Sequence, residues 1–480
     1  MTSRGTAARR VLVALLALTA AVAVLSALQR PAADRATKPR ATLGTPLWSV
    51  RRVPQPTTDA VGAQHLQAAL VDRLGSYEGC VAVRDDIAPA AATNIDQPHI
   101  PASTLKLLTA TATLDTLGAA FHFTTAVVAP SPPKAGAVDR LIVIGGGDPL
   151  LATPERIARD AADPETAGLA VTPLATLADR IVAAGIRSVP GGVVGTDDRY
   201  DAARDVPAWN ESKRASIGPI GALTVNDGYS GASGTGSGGA DPALNAATEL
   251  TRLLSARGVS VGPPSRGSAP NVDQQSEIAS IDSPPLPLVL TEMLSASDNL
   301  TAEMLVRELG AHAGEGTTAR GVRELTAALT RQGINLTGAS IVDGSGLSRD
   351  DAVTCTTLLD VLNLAQSPKF APIRDGLAIA GKRGTLATEL RATPLAGNLR
   401  AKTGTLNGVS ALAGFVRSNR PLTFSLLVAG PFGEATAFSL REAMATDIAA
   451  FPQTSAGPAL VPAPIAPLSP TACPDAQRAC

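Results

Sequence analysis

The sequence predicts an α/β (α+β) fold: an antiparallel sheet flanked by helices, interrupted by an inserted accessory α/β domain. Three observations carry that expectation. Strand-like runs at 399–404, 411–416 and 422–428 follow one another closely, the last two joined by a turn at 418–421, and a helical segment at 436–451 comes after them. A helix, two strands and a second helix are patterned between residues 60 and 117. About 190 residues then separate two short polar motifs, at 103–106 and 297–299, far more than a linking pair of helices needs, so a further folded unit is placed between them.

Taken in order, the chain begins with Arg4, Arg9 and Arg10 before an uncharged, mostly apolar run from Val11 to Leu28, closed by Gln29 and Arg30. A basic flank before such a run is an export signal with its positive end left in the cytoplasm. The run is long for a cleaved signal and just long enough to span a bilayer. Residues 1–30 therefore read as a signal peptide or a membrane anchor, and either places the body outside the cytoplasm, in the cell envelope or secreted. Residues 31–57 form a Pro/Ala-rich linker. A helix from Ala60 to Leu74, a strand at Cys80–Arg84, a turn near Asp85 and Asp86 and a return strand toward Pro101 come next. Thr104 to Leu117 reads as one helix, with an apolar face at Leu105, Leu108, Ala112, Leu114 and Leu117 and Gly118 as its stop.

The accessory unit is expected at 126–285. Leu141–Ile144 is a buried-type strand ended by Gly145-Gly-Gly-Asp148-Pro149, a helix covers Leu174–Ala184, a strand covers Gly192–Gly195, and Tyr229–Gly239 is a Gly/Ser-rich loop. The glycine triplet lacks the lysine and the helix of a phosphate cradle and reads as a tight turn. Beyond it, helices are expected at Pro287–Ser295 and Leu300–Leu309. The last helix repeats apolar residues at Phe438, Leu440, Met444, Ile448 and Phe451. The main domain is thus composed of 58–125 and 286–451, and 452–480 is a Pro/Ala-rich tail.

Composition excludes several functions. The net charge is −1 and aromatic residues make up 3% of the chain, so neither an electrostatic footprint nor a stacking surface for nucleic acid is present. The four histidines (His65, His99, His122, His312) stand apart and no cysteine pair has zinc-finger spacing, so no metal and no cofactor is expected. Four cysteines suit an oxidising compartment and allow three pairings. Cys473 with Cys480 would close a small tail loop, leaving Cys80 with Cys355.

The chemistry lies in three strings in order: Ser103-Thr-Leu-Lys106, Ser297-Asp-Asn299 and Lys402-Thr-Gly404. Such a set attacks a peptide-like carbonyl with a serine and uses lysine as the nearby base. A second Ser-x-x-Lys, Ser131-Pro-Pro-Lys134, holds two prolines and reads as a turn, so its lysine is not carried over its serine by a helix. In a helix, Lys106 lies beside the Ser103 hydroxyl. Lys106 serves as base when burial or a second cation lowers its pKa, and Lys402 is that second cation. Ser297 can pass a proton to the leaving group, and Asn299 can hold a substrate amide. Lys402, Thr403 and Thr405 offer charge and hydroxyls to a substrate carboxylate, Gly404 permits close approach to the strand, and the N–H groups of Ser103 and Thr405 are the expected oxyanion hole. Each residue has an ordinary alternative: Ser103 and Ser297–Asn299 as helix caps, the lysines as solvated charges. The ordered set argues against all of these at once.

The chain resembles the D-alanyl-D-alanine carboxypeptidase/endopeptidases that are low-molecular-mass class C penicillin-binding proteins. Pro101-Ala-Ser-Thr-Leu-Lys106, Gly145-Gly-Gly-Asp-Pro149, Ser297-Asp-Asn-Leu-Thr-Ala-Glu303, Asp343-Gly-Ser-Gly-Leu-Ser-Arg349, Gly384-Thr-Leu386 and Lys402-Thr-Gly-Thr405 look like family signatures. They cover about residues 58 to 450. The resemblance implies a β-lactamase/transpeptidase-like domain with accessory structure. It also implies an acyl-enzyme on peptidoglycan stem peptides ending in D-Ala-D-Ala, with β-lactam antibiotics as slow substrates and inhibitors. Here the Gly/Ser-rich stretch passes quickly to Asp241-Pro-Ala-Leu-Asn245, where the family often carries a further small β-rich domain, which is reduced or missing. The competing expectations are a class A β-lactamase, for which the expected Glu-x-x-Leu-Asn string is absent, and a catalytically silent wall-binding scaffold on the same fold.

Overall fold

The structure is a computed structural model that describes residues 17–19, 55–85, 88–210, 217–234, 241–269, 275–417 and 420–452. The chain separates into a unit of residues 1–58 and a unit of residues 59–480. In the first, residues 17–19 form an exposed helical turn; the rest of the apolar run at 11–28 and nearly all of the linker lie outside the described residues, as does the tail from 453 onward with Cys473 and Cys480. No helix among the described residues is long and apolar enough to cross a membrane.

The labelled strands are β1 (Glu78–Arg84), β2 (Pro89–Thr93), β3 (Thr124–Ala129), β4 (Leu141–Ile144), β5 (Val193–Thr196), β6 (Ser265–Arg266), β7 (Ser276–Asp282), β8 (Ala378–Ile379), β9 (Leu399–Leu406), β10 (Val409–Arg417) and β11 (Pro421–Ala429). The labelled helices are α1 (Gln55–Leu74), α2 (Lys106–Leu117), α3 (Leu174–Ala183), α4 (Pro242–Ser255), α5 (Leu286–Ala296), α6 (Asn299–His312), α7 (Thr318–Arg331), α8 (Cys355–Leu364) and α9 (Glu434–Ala449).

The larger sheet has the order β8-β9-β10-β11-β1-β2, all neighbours antiparallel. The predicted C-terminal meander is therefore closed by the N-terminal hairpin. Alternation along each strand sorts its side chains between two cores. Cys80, Ala82, Ala411, Ala413 and Leu427 pack against apolar residues of α2, α5, α6, α7 and α8. Val81, Val83, Leu412, Phe424 and Leu426 pack with Leu66 and Leu70 of α1 and Met444 and Ile448 of α9.

One inward position of α9 departs from the sequence pattern. Phe438 is exposed, whereas Ala437, Arg441, Met444, Ala445 and Ile448 are buried. An arginine occupies the face that the apolar spacing assigns to Phe438, because its guanidinium has partners there.

The smaller sheet, order β6-β5-β4-β3-β7, is mixed: β6, β5 and β4 run parallel to one another, and β3 runs antiparallel to both its neighbours, β4 and β7. With α3 and α4 it encloses its own core, including Leu141, Val143, Val193, Leu177, Ile181, Leu250 and Leu254. β4 is readable as an apolar run. β7 is not: only Ala279 and Ile281 of Ser276–Asp282 are buried. The glycine triplet after β4 runs flush against other backbone. A side chain on Gly146 would meet the Thr124 carbonyl at 1.9 Å, so contact with main chain demands glycine here.

Cys80 of β1 is bonded to Cys355, the first residue of α8. The bridge joins residues 275 apart and fixes a covering helix to the sheet. Replacing both cysteines by alanine is expected to lower unfolding stability by about 2–5 kcal/mol, read from denaturant midpoints, and non-reducing peptide mapping should recover the cross-linked pair. Free thiols at both positions in the native protein would contradict the arrangement.

Candidate active site

The segment bearing Ser103 is not the start of one regular helix. Ala102–Leu105 is a 3₁₀ turn, and the α-helix begins at Lys106. The cause is Ala102, held at φ +47°, with the Thr104 hydroxyl donating to the Pro101 carbonyl at 2.7 Å. In a 3₁₀ turn, residues three apart eclipse each other. Lys106 is thereby brought over Ser103, and its Nζ donates to Ser103 Oγ at 2.9 Å. Backbone in the left-handed region is costly for a residue with a Cβ, so the turn must be held by its surroundings. Two glycines make room for it. A Cβ on Gly346 (φ +81°) would lie 1.9 Å from the Ala102 carbonyl oxygen, and one on Gly404 would lie 2.8 Å from that of Pro101. The close approach at Gly404 is thus to the serine turn itself.

Lys106 is completely buried. Besides Ser103 it donates to Asn299 Oδ1 at 2.7 Å and to the Ser345 carbonyl at 2.9 Å. Burial lowers its pKa to about 8, against the opposing pull of Asp298, Asp343, Glu303 and Glu292. The loop supplying Ser345 is held from several sides. Glu303 of α6 accepts the Ser345 N–H at 2.8 Å and the Gly344 N–H at 3.1 Å. Asp343 accepts the N–H groups of Gly346 and Ser348 and the indole N–H of Trp209. Thr109 of α2 donates to the Gly344 carbonyl at 2.7 Å. Desolvation raises Glu303 to about 8 and Asp351, which accepts the Val342 N–H, to about 10, so Asp351 is neutral near pH 7.

The second motif sits where α5 stops and α6 starts. Ser297 is left-handed, at φ +65°, and Asp298 caps α6 by accepting the Thr301 N–H at 2.6 Å. Asn299 is thereby aimed at Lys106. Ser297 Oγ makes no hydrogen bond to either lysine among the described residues; it lines a cleft with Asn299, Asp227 and Tyr229. Gly384 (φ +68°) packs against the end of α5, where a Cβ would meet the Ser295 carbonyl at 2.2 Å. Beside it, Thr385 shares a 2.8 Å hydrogen bond with Thr403, so this short loop ties the second motif to the third.

Lys402 and Gly404 lie opposite Ala413 and Ala411 on the face of β9 toward the serine turn. Lys402 is fully buried, and its Nζ donates to the Thr403 carbonyl at 3.0 Å. Burial first, then Lys106 and Arg441, push its pKa well down. Leu399 gives its carbonyl to Ala380 on the β8 side. By alternation, the main-chain groups of Thr403 and Thr405 point the same way, past the end of β8, toward an edge with no strand on it among the described residues. Thr405 Oγ1 accepts from Arg441 of α9 at 2.8 Å.

Ser103, Lys106 and Asn299 are joined directly. The influence between the lysines runs from Lys106 to Lys402, whereas burial, not the second cation expected from sequence, is what lowers Lys106. Thr403, Gly404 and Thr405 form the adjoining edge, and Ser297 borders the cleft unbonded to the lysines. Sequence reasoning carried Ser345 only inside the Asp343–Arg349 string and gave it no role, because it acts through a backbone carbonyl and leaves no side-chain signal. It missed Arg441 although a signal existed: an arginine recurring on an otherwise apolar helix face. Glu303 and Asp343 were visible only as members of longer strings.

The chain matches the D-Ala-D-Ala carboxypeptidase 3 (S13) family over residues 63–238 and 235–450. It is 30% identical over 433 residues to a D-alanyl-D-alanine carboxypeptidase of Actinomadura sp. (strain R39), covering 73% of this chain and 77% of that one. It is 33% identical over 396 residues to the carboxypeptidase DacB of Mycolicibacterium smegmatis, covering 79% and 82%. Penicillin binding protein 4 of Haemophilus influenzae has the same fold, with a TM-score of 0.64 at 21% identity over 78% of this chain and 98% of that one.

The packing around the serine turn has a direct test. Gly346→Ala and Gly338→Ala both place a Cβ at φ near +80°, at a common cost of about 1–2 kcal/mol. Gly338 has only ordinary contacts, from 3.5 Å, so only the Gly346 variant should displace Ala102. Labelling of Ser103 by a fluorophosphonate is expected to slow at least ~tenfold in Gly346→Ala and to stay unchanged in Gly338→Ala. Equal rates would contradict the cradle.

Proposed function

This chain belongs to the D-Ala-D-Ala carboxypeptidase 3 (S13) family, and we propose that its reaction runs through an acyl-enzyme on Ser103. It is a penicillin-binding serine peptidase, a D-Ala-D-Ala carboxypeptidase acting outside the cytoplasm on peptidoglycan. The observation that carries the assignment of roles is the 2.9 Å contact between Lys106 Nζ and Ser103 Oγ, in a setting where the other two Nζ partners are both oxygens that only accept.

A neutral lysine has two N–H bonds and one lone pair. Asn299 Oδ1 and the Ser345 carbonyl take the two N–H bonds, which leaves the lone pair facing Ser103. The Ser103 hydroxyl gives its proton to Nζ as Oγ attacks the carbonyl carbon of the penultimate D-Ala. The N–H groups of Ser103 and Thr405 receive the oxyanion. Collapse breaks the C–N bond, and the proton that Lys106 took from Ser103 passes to the departing D-Ala amine, with Ser297 as the relay once its hydroxyl turns from the cleft toward the lysines. Water then attacks the ester in the same geometry and restores Ser103. Thr403 and Thr405 bind the terminal carboxylate. Lys402 keeps a second amine near Lys106.

Residues 126–285 act as an accessory domain, a reading supported by the separate sheet between Thr124 and Asp282 and its separate core. The apolar run at 11–28 is an export signal or a retained anchor, which would add the membrane as a partner.

The pH dependence has a definite sign. Lys106 is a base only when neutral, and its pKa is lowered to about 8, so acylation rises through pH ~8 and levels off above it. Release of D-Ala from a peptide ending in D-Ala-D-Ala should follow that limb, and Ser103→Ala should abolish it. A rate that is flat between about pH 6 and pH 9, or persists in Ser103→Ala, would overturn the assignment.

A further inference from the structure

We infer that Arg441, acting through Thr405, sets the preference of this enzyme for a substrate with a free C-terminal carboxylate. The inference rests on the acyl-enzyme reading above and adds to it the source of the positive charge. Arg441 lies on α9, behind β9, and is 3% exposed. One terminal nitrogen donates to Thr405 Oγ1 at 2.8 Å, and the other pairs with Glu389 at 2.6 Å. The remaining donor, Nε, is buried without a hydrogen-bond partner.

The Thr405 hydroxyl has one proton to give. Because it accepts from a guanidinium, that proton is turned away from Arg441, and no other acceptor takes it among the described residues. Thr405 is partly exposed at the unpaired edge of β9, where a chain end aligned with the strand would arrive. The neighbouring Thr403 hydroxyl is already shared with Thr385. A carboxylate at this edge therefore meets a hydroxyl donor polarised by a cation directly behind it.

Lys402 is the less suitable cation. It is enclosed, its Nζ is committed to the Thr403 carbonyl, and no carboxylate among the described residues stabilises its charge. A guanidinium keeps its charge throughout. Arg441 is also held from its other side: its guanidinium stacks 4.3 Å from the centre of the Phe438 ring, which explains why that phenylalanine lies outside while the arginine lies inside. The pair with Glu389 anchors the guanidinium, so the charge stays at the strand when no substrate is bound.

The test compares one peptide ending in D-Ala-D-Ala with its C-terminal amide, using kcat/KM for each. In the wild type the free acid should be preferred. In Arg441→Gln that preference should fall at least ~tenfold, mostly through KM for the acid, while turnover of the amide changes less than about threefold. Arg441→Lys should recover part of the preference. Thr405→Val, which leaves Arg441 and Glu389 in place, should lower it as well and serves if Arg441→Gln does not fold. An equal loss on both peptides, or an unchanged ratio in both variants, would overturn the inference. Wild-type protein that cleaves neither peptide would instead overturn the reading on which it rests.

Discussion

Lys106 Nζ is closed in by two oxygens that can only accept, Asn299 Oδ1 and the Ser345 carbonyl, and much of the surrounding structure serves to keep them there. Removing an ammonium from water costs several kcal/mol unless its donors are satisfied. The three hydrogen bonds of Lys106 meet that demand in the charged state. The same geometry leaves one open valence toward Ser103 when the proton is lost. Stability and reactivity are therefore set by one arrangement. Its outer layer is polar and buried: Glu303 fixes the amides of Gly344 and Ser345, and Asp343 gathers two more amides and the Trp209 indole. Trp209 belongs to the segment between β5 and α4, within the span of the smaller sheet, so residues far from the motifs in sequence help orient the Ser345 carbonyl.

Two positions of costly backbone lie nearby. Ala102 and Ser297 are both non-glycine residues at positive φ, and each stands at a motif. Neither conformation is intrinsically favoured, so each is sustained by packing. Gly346 and Gly404 accommodate the first, and Gly384 abuts the helix end that precedes the second. The glycines of three separate strings thus share one physical task, clearance for main chain.

Much of this was legible in the sequence, and the limits have physical causes. The meander follows from alternation, and the meeting of Ser103 with Lys106 follows from their three-residue spacing, although through a 3₁₀ turn and not the expected helix; the Cys80–Cys355 bridge is one of three pairings that cysteine arithmetic leaves open. The 3₁₀ turn at Ala102 was not legible, since nothing in Pro-Ala-Ser-Thr announces a left-handed alanine. β7 escaped notice because only two of its residues are buried. Arg441 was passed over because an apolar repeat containing Phe438 fits the pattern equally well until the partners of the guanidinium are known.

The central claim is that Ser103 is the reacting group and that Lys106 activates it. Intact mass and peptide mapping after exposure to benzylpenicillin test it most directly, with Ser103→Ala and Lys106→Met alongside. The account predicts one covalent equivalent on the peptide containing Ser103. That adduct should be absent in Ser103→Ala and form about 10²–10⁴-fold more slowly in Lys106→Met. An adduct on another serine, such as Ser131 of the proline-containing Ser-x-x-Lys string, or no adduct on the folded wild-type protein, would contradict it.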